Sequence, residues 1–204
     1  MTTPSATELS AAFAPLVRRI EAEATVIDDE ILRIDHFLNH RIEPAFIVEL
    51  GRELARRLSA FHPTMILTAE ASGIAPGLVV AQALNVPLVF AKKYAPQVEP
   101  PELSRVIPSP TKGGRTRLVV SRRMVPVGAR VVVVDDFLAN GRTAAALVEI
   151  AREAGAEVLG AGFIVEKRFR NGHQLMAQLG IPVATLVQIE RLENGRAVLA
   201  RAVA

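Results

Sequence analysis

Val131-Val-Val-Val-Asp135-Asp136-Phe137-Leu138-Ala139-Asn140-Gly141-Arg142-Thr143 is the stretch that decides the fold. The valine run over 130–134 reads as a central strand buried on both faces, the mark of a parallel sheet. Two carboxylates close it, small residues form a loop, and the spacing predicts a helix over 142–154, stopped by Gly155. Working outward, 64–69 and 87–91 read as short apolar strands around a helix over 74–84, which makes a β-α-β unit. Beyond the motif, strands are expected at 158–165 and 183–189 with a short helix at 174–179 between them. Upstream, Phe46, Ile47, Leu50, Leu54 and Leu58 recur at three- and four-residue steps, with Pro44 in the first turn, so 43–60 is a helix. A shorter amphipathic helix is expected at 16–24, after a frayed tail over 1–15. Strands alternating with helices define an α/β fold, whose ligands sit at the carboxyl ends of the strands. No linker divides two cores, so 16–204 reads as a single domain.

The same stretch carries chemistry. Free amides at a helix N-terminus bind phosphate, Gly141 lets backbone approach closely, and Asn140 and Thr143 add hydrogen bonds. Carboxylates just upstream repel phosphate but accept bonds from sugar hydroxyls. Taken singly, these residues are an acidic turn and a helix cap; taken together, they fit a ribose 5-phosphate.

Composition narrows the class. The chain has 204 residues, 50% of them hydrophobic, enough for a compact core. It has no cysteine, which removes disulfides, thiolate nucleophiles and thiolate metal sites, and its four histidines lack ligand spacing. His36 and His40, four apart, do not by themselves make a metal site. No apolar run reaches the ~20 residues of a membrane span, and no signal segment is visible, so a cytoplasmic protein is expected. The net charge is +3, with 4% aromatics and no tryptophan to stack on bases. Nine Lys or Arg residues against Glu99 and Glu102 give Lys92 to Arg130 a local +7, which leaves −4 for the rest. A basic segment on an acidic body points to a compact anion and away from nucleic acid. Five prolines and few core residues make 94–116 a long loop, with 118–121 a short strand within that basic excursion.

The motif resembles the phosphoribosyl-pyrophosphate signature of the type I phosphoribosyltransferases. Three further segments narrow the resemblance to their bacterial xanthine group: residues 27–44, with Leu32, Asp35 and Asn39; Glu70-Ala71-Ser72-Gly73; and Val165-Glu166-Lys167-Arg168-Phe169. The resemblance implies a central, mainly parallel sheet with a small hood. It also implies transfer of phosphoribose from phosphoribosyl pyrophosphate to N9 of xanthine, yielding xanthosine 5′-monophosphate and pyrophosphate. Mg²⁺ would be held mainly by the pyrophosphate and water, with no direct protein ligand, and the assembly would be a homodimer. The long apolar helix 43–60 is a candidate contributor to it, although spacing does not locate the interface.

Residue by residue, the resemblance makes Asp135 and Asp136 the catalytic pair that positions the ribose hydroxyls. It assigns Ala139, Asn140, Gly141, Arg142 and Thr143, with Ala71, Ser72, Gly73, Lys92 and Lys93, to phosphoribosyl pyrophosphate. Leu32, Asn39 and Lys167 fall to the purine. Lys112, Arg115, Arg117, Arg122 and Arg123 match a flexible hood that closes over substrate. Taken without the resemblance, the lysine pair reads as solvated, Asn39 as a turn residue or cap, Lys167 as surface, and Phe137 and Phe169 as core. Lysine at 167 can donate to an exocyclic purine oxygen but finds no acceptor at adenine's amino group. Ala139 stands where several purine enzymes of this kind carry an acid, and it cannot accept a proton. A regulator that keeps the phosphoribosyl signature without turnover is the main alternative, although no helix-turn-helix is visible. The same chemistry on guanine or hypoxanthine is the other.

Overall fold

The computed structural model describes residues 5–93, 102–108 and 114–200. Its centre is a six-stranded sheet of β3 (Met65–Ala69), β4 (Leu88–Ala91), β7 (Arg130–Leu138), β8 (Glu157–Lys167), β9 (Val183–Glu193) and β10 (Arg196–Leu199). Their spatial order is β10-β9-β8-β7-β3-β4, parallel throughout except for the antiparallel β9–β10 pair. Order reverses at β3 and β7, since β3 lies between β4 and β7, and ligand sites in open α/β sheets form at such switch points.

Two apolar clusters sandwich this sheet. On one side, α3 (Pro44–Leu58) buries Ile47, Leu50, Leu54 and Leu58 against Val132, Val134 and Ile164, with α2 (Ala14–Glu23) and α4 (Ile74–Leu84) beside it. On the other, α5 (Arg142–Glu153) buries Leu147, Val148 and Ile150 against Val131 and Val133, and α6 (Gly172–Gln178) adds Met176. Alternate valines of one strand therefore serve opposite layers, as the pleat requires. The apolar face of α3 is thus buried within the subunit.

Several expectations are corrected. The N-terminal tail contains a helix, α1 (Ala6–Ser10), started by a capping box in which Ser5 and Glu8 satisfy each other's backbone. Leu9 is buried, and the Phe13 amide bonds to the Leu186 carbonyl of β9 at 2.8 Å. A small antiparallel hairpin, β1 (Thr25–Ile27) with β2 (Ile31–Arg33), lies where no strand was expected, and so does β10. The largest difference falls within 94–116. Residues 94–101 and 109–113, Lys112 among them, lie outside the described residues, but β5 (Glu102–Pro108) pairs antiparallel with β6 (Arg115–Ser121). Leu103, Ile107, Leu118 and Val120 are buried in the α5-side cluster, so the described part is a packed hairpin instead of a loop.

Candidate active site

β7 runs through Leu138, four residues beyond the valines, so both carboxylates belong to the strand. Asp136 lies at a junction. Its Oδ2 accepts from Asn39 Nδ2 at 2.7 Å, and its Oδ1 accepts from Ser72 Oγ at 3.1 Å and from the Phe137 amide at 2.9 Å. One carboxylate thus ties together the segment after β2, the loop after β3 and the strand that leads to the phosphate-type loop. Asp135 accepts its neighbour's amide at 2.9 Å. Burial, and then the charge of Asp136, push its carboxyl well above the ordinary aspartate range, with the Lys93 charge opposing.

The next five residues turn the chain into α5. Gly141 caps that helix with φ +72°, a left-handed conformation suited to glycine, and its Cβ, if present, would stand 3.0 Å from the Gly172 Cα. Ala139, Asn140, Gly141, Arg142 and Thr143 all line one cavity of about 220 Å³, together with Asp135, Asp136, Ser72 and Lys93. The first-turn amides of α5 open on this space with no intrahelical partner.

Across the cavity, Gly73 precedes α4. A Cβ there would lie 2.1 Å from Thr68 Oγ1 and 2.6 Å from Asp135 Oδ1, so only glycine lets the loop reach β7 this closely. The Glu70–Ala71 peptide is cis, and Glu70 Oε1 accepts the Lys93 amide at 2.6 Å, which ties the loop to the end of β4.

Some expected residues are not brought together. Lys92 pairs through its backbone with Val119 of β6 and borders a different cavity, between β4 and β6. Leu32 is buried in the α3-side cluster, against which Phe137 and Phe169 also pack, and it does not line the cavity. Three cations of the basic segment are directed elsewhere. Arg105 pairs with Glu149 and Glu153 of α5 at 2.7 Å each, Arg122 donates to the Glu153 carbonyl at 3.1 Å, and Arg117 donates to Ser104 Oγ at 3.0 Å. Among the described residues, Lys93 and Arg142 are the basic residues that line the cavity, and the hairpin contributes Pro108 to it.

Lys167 ends β8, and its ammonium stands 5.3 Å from the centre of the Phe137 ring, itself part of the cavity wall. Burial lowers its pKa, the nearby Arg170 adds to that, and Asp136 opposes it. Two further polar features lie nearby. The Thr68 hydroxyl is buried beside Gly73 without a hydrogen-bond partner among the described residues, and no local sequence signal marks it. Glu166, which the sequence offered only as a neighbour of Lys167 in the Val165–Phe169 segment, is a fully buried carboxylate.

Comparison with known proteins matches this arrangement to the phosphoribosyl transferase domain model over residues 41–195. The chain is 53% identical to a xanthine phosphoribosyltransferase of Chloroflexus aurantiacus, over 90% of this chain and 87% of that one. The chain belongs to the phosphoribosyltransferase family. A second relative, the xanthine phosphoribosyltransferase of Heliobacterium modesticaldum, is 44% identical over 89% of this chain and 97% of its own. Among solved structures, the fold matches an adenine phosphoribosyltransferase from Saccharomyces cerevisiae with a TM-score of 0.69, at 24% identity, covering 85% of this chain and 99% of that one. The central, mostly parallel sheet flanked by helices is that of the type I phosphoribosyltransferase fold.

Proposed function

We propose that this phosphoribosyltransferase transfers the 5-phosphoribosyl group of phosphoribosyl pyrophosphate to N9 of xanthine, releasing pyrophosphate, in the cytoplasm. The observation that carries the reading is the single cavity in which a phosphate-type helix start, two strand-end carboxylates and the loop before α4 meet. The bond from C1′ to pyrophosphate breaks as the bond to N9 forms. Positive charge develops on the ribose and negative charge on the leaving oxygen, and fixed dipoles in a water-poor site stabilise both.

Residues 139–143 hold the 5′-phosphate on the amides of α5. Asp136 and Asp135 take the ribose hydroxyls, and Ser72, Gly73 and Lys93 face the pyrophosphate. Asn39 and Lys167 face the purine's carbonyl edges, and Lys167, partly desolvated beside Phe137, selects an exocyclic oxygen over adenine's amino group. Ala139 has no basic atom, so the purine proton leaves to solvent; xanthine, an acidic purine, makes this loss easy.

Among the described residues no group of three or more His, Asp or Glu could hold a metal. The hard oxygen donors of Asp135 and Asp136 nonetheless suit a Mg²⁺ that arrives on the pyrophosphate and keeps its own waters. When bound, Mg²⁺ would neutralise the leaving group. Residues 16–204 act as one transferase domain with the hairpin as its cover. A homodimer fits the exposed Leu78 on α4 and the exposed Phe90 on the edge strand β4, apolar surface that a second copy would cover.

The test is pyrophosphate release with phosphoribosyl pyrophosphate and Mg²⁺ across three purines. Xanthine should be the best substrate, guanine weaker and adenine nearly inert. Equal rates with xanthine and adenine would remove the oxopurine reading, and guanine faster than xanthine would favour the guanine alternative.

A further inference from the structure

We propose that Glu166 and His173 are positioning residues that set the phosphate loop from behind, a role that rests on residues 139–143 being the seat of the 5′-phosphate. Glu166 is 1% exposed. Three groups contact its carboxylate, from α6, from β9 and from the end of its own strand. His173 Nδ1 of α6 lies 2.8 Å from Oε1, Gln188 Nε2 of β9 donates to Oε2 at 2.7 Å, and Arg168 lies 3.4 Å away. Burying a carboxylate requires such bonds, and the acceptor places the histidine proton on Nδ1.

What this network holds is the start of α6. The Gly172 amide donates to the Ala139 carbonyl at 2.8 Å. A Cβ at Gly172 would fall 2.4 Å from that carbonyl, and one at Gly141 would fall 3.0 Å from the Gly172 Cα. Backbone therefore lies on backbone, with no side chain between α6 and the loop to absorb a shift. His173 follows Gly172 directly, and across β7 and β8 the register pairs Leu138 with Glu166. A movement of α6 away from Glu166 passes straight to Ala139 and Gly141, whereas Asn39 and the loop before α4 are anchored elsewhere, on Asp136.

The His173 side chain is 44% exposed, so its removal leaves the core filled. The experiment is calorimetric binding of phosphoribosyl pyrophosphate with Mg²⁺, plus KM for each substrate, in wild type, His173→Ala and His173→Asn. Losing a hydrogen bond to a buried carboxylate should weaken phosphoribosyl pyrophosphate binding about tenfold and raise its KM similarly, while the xanthine KM stays within about twofold. Asparagine, whose Nδ2 can reoccupy the Nδ1 position, should restore most of the affinity. Unchanged binding in His173→Ala, an equal rise in both KM values, or no recovery with asparagine would overturn the positioning role. A wild-type chain that fails to bind phosphoribosyl pyrophosphate would overturn the loop assignment itself, and this proposal with it.

Discussion

Replacing Gly73 with alanine places one methyl group where the structure has least room. The new Cβ would stand 2.1 Å from Thr68 Oγ1, 2.6 Å from Asp135 Oδ1 and 3.1 Å from the Ala69 carbonyl. Carbon–oxygen contacts begin at about 3.3–3.6 Å, so the loop before α4 or the Asp135 carboxylate must retreat by roughly 1 Å. Neither neighbour yields freely, since Thr68 is fully buried and Asp135 is held in a strand. Overpacking of this kind costs about 2 kcal/mol, which for a chain of this size is a fall of roughly 4–8 °C in Tm. A misplacement of about 1 Å at a reacting centre costs on the order of 100-fold, so kcat/KM for phosphoribosyl pyrophosphate should fall by about that factor. The assay is initial-rate pyrophosphate release with xanthine, beside a thermal melt. Thr68→Ala/Gly73→Ala should regain part of the lost Tm, because the Thr68 hydroxyl has no hydrogen-bond partner to forfeit, yet stay slow because the Asp135 contact persists. Wild-type kcat/KM and Tm in Gly73→Ala would refute the claim that close packing of this loop on β7 sets the site.

Two further predictions concern single charges. Lys167→Ala should lower the xanthine-to-adenine ratio of kcat/KM by about 10-fold or more, measured by pyrophosphate release; an unchanged ratio removes Lys167 from purine selection. Asp135 has a pKa raised from 3.8 by burial and by Asp136. The folded chain therefore retains this proton over a range in which the unfolded chain has lost it. Stability from this group is complete below the unfolded value and declines as pH rises through the raised one. Asp135→Asn should thus be more stable than wild type in the alkaline range and lose that advantage in acid, read as the difference in Tm between pH 5 and pH 8. A difference in Tm that does not change with pH would contradict a raised pKa.

Much of the fold was legible because periodicity and punctuation agreed. Helix α4 has its expected bounds, 74–84, and α3 and β3 begin within a residue of theirs. Misreadings have local causes. Prolines masked the hairpin, although Leu103 and Ile107 keep the even spacing of a strand face and Leu118-Val119-Val120 is a short apolar run of the kind that forms a buried strand. Charge hid the end of β7, because two aspartates do not look like strand interior until Asn39, Ser72 and backbone amides satisfy them. Ser5 and Glu8 show the capping-box pattern, and the small, polar residues around them outweighed it. The site divided similarly. Residues 139–143 share a segment and were legible together, whereas the bond between Asn39 and Asp136 spans 97 residues. Basic residues were the least legible. The sequence counts Arg105, Arg117 and Arg122 as an excess, but α5 supplies acids for Arg105 and an acceptor for Arg122, while Arg117 is held within the hairpin. Among the described residues, the cations that line the cavity reduce to Lys93 and Arg142.

The central claim is that one cavity joins phosphoribose to a 6-oxopurine. Its most direct test is chromatography of the products after the purified chain is mixed with phosphoribosyl pyrophosphate, Mg²⁺ and xanthine. Stoichiometric xanthosine 5′-monophosphate and pyrophosphate are expected, and recovery of both substrates unchanged would contradict the claim.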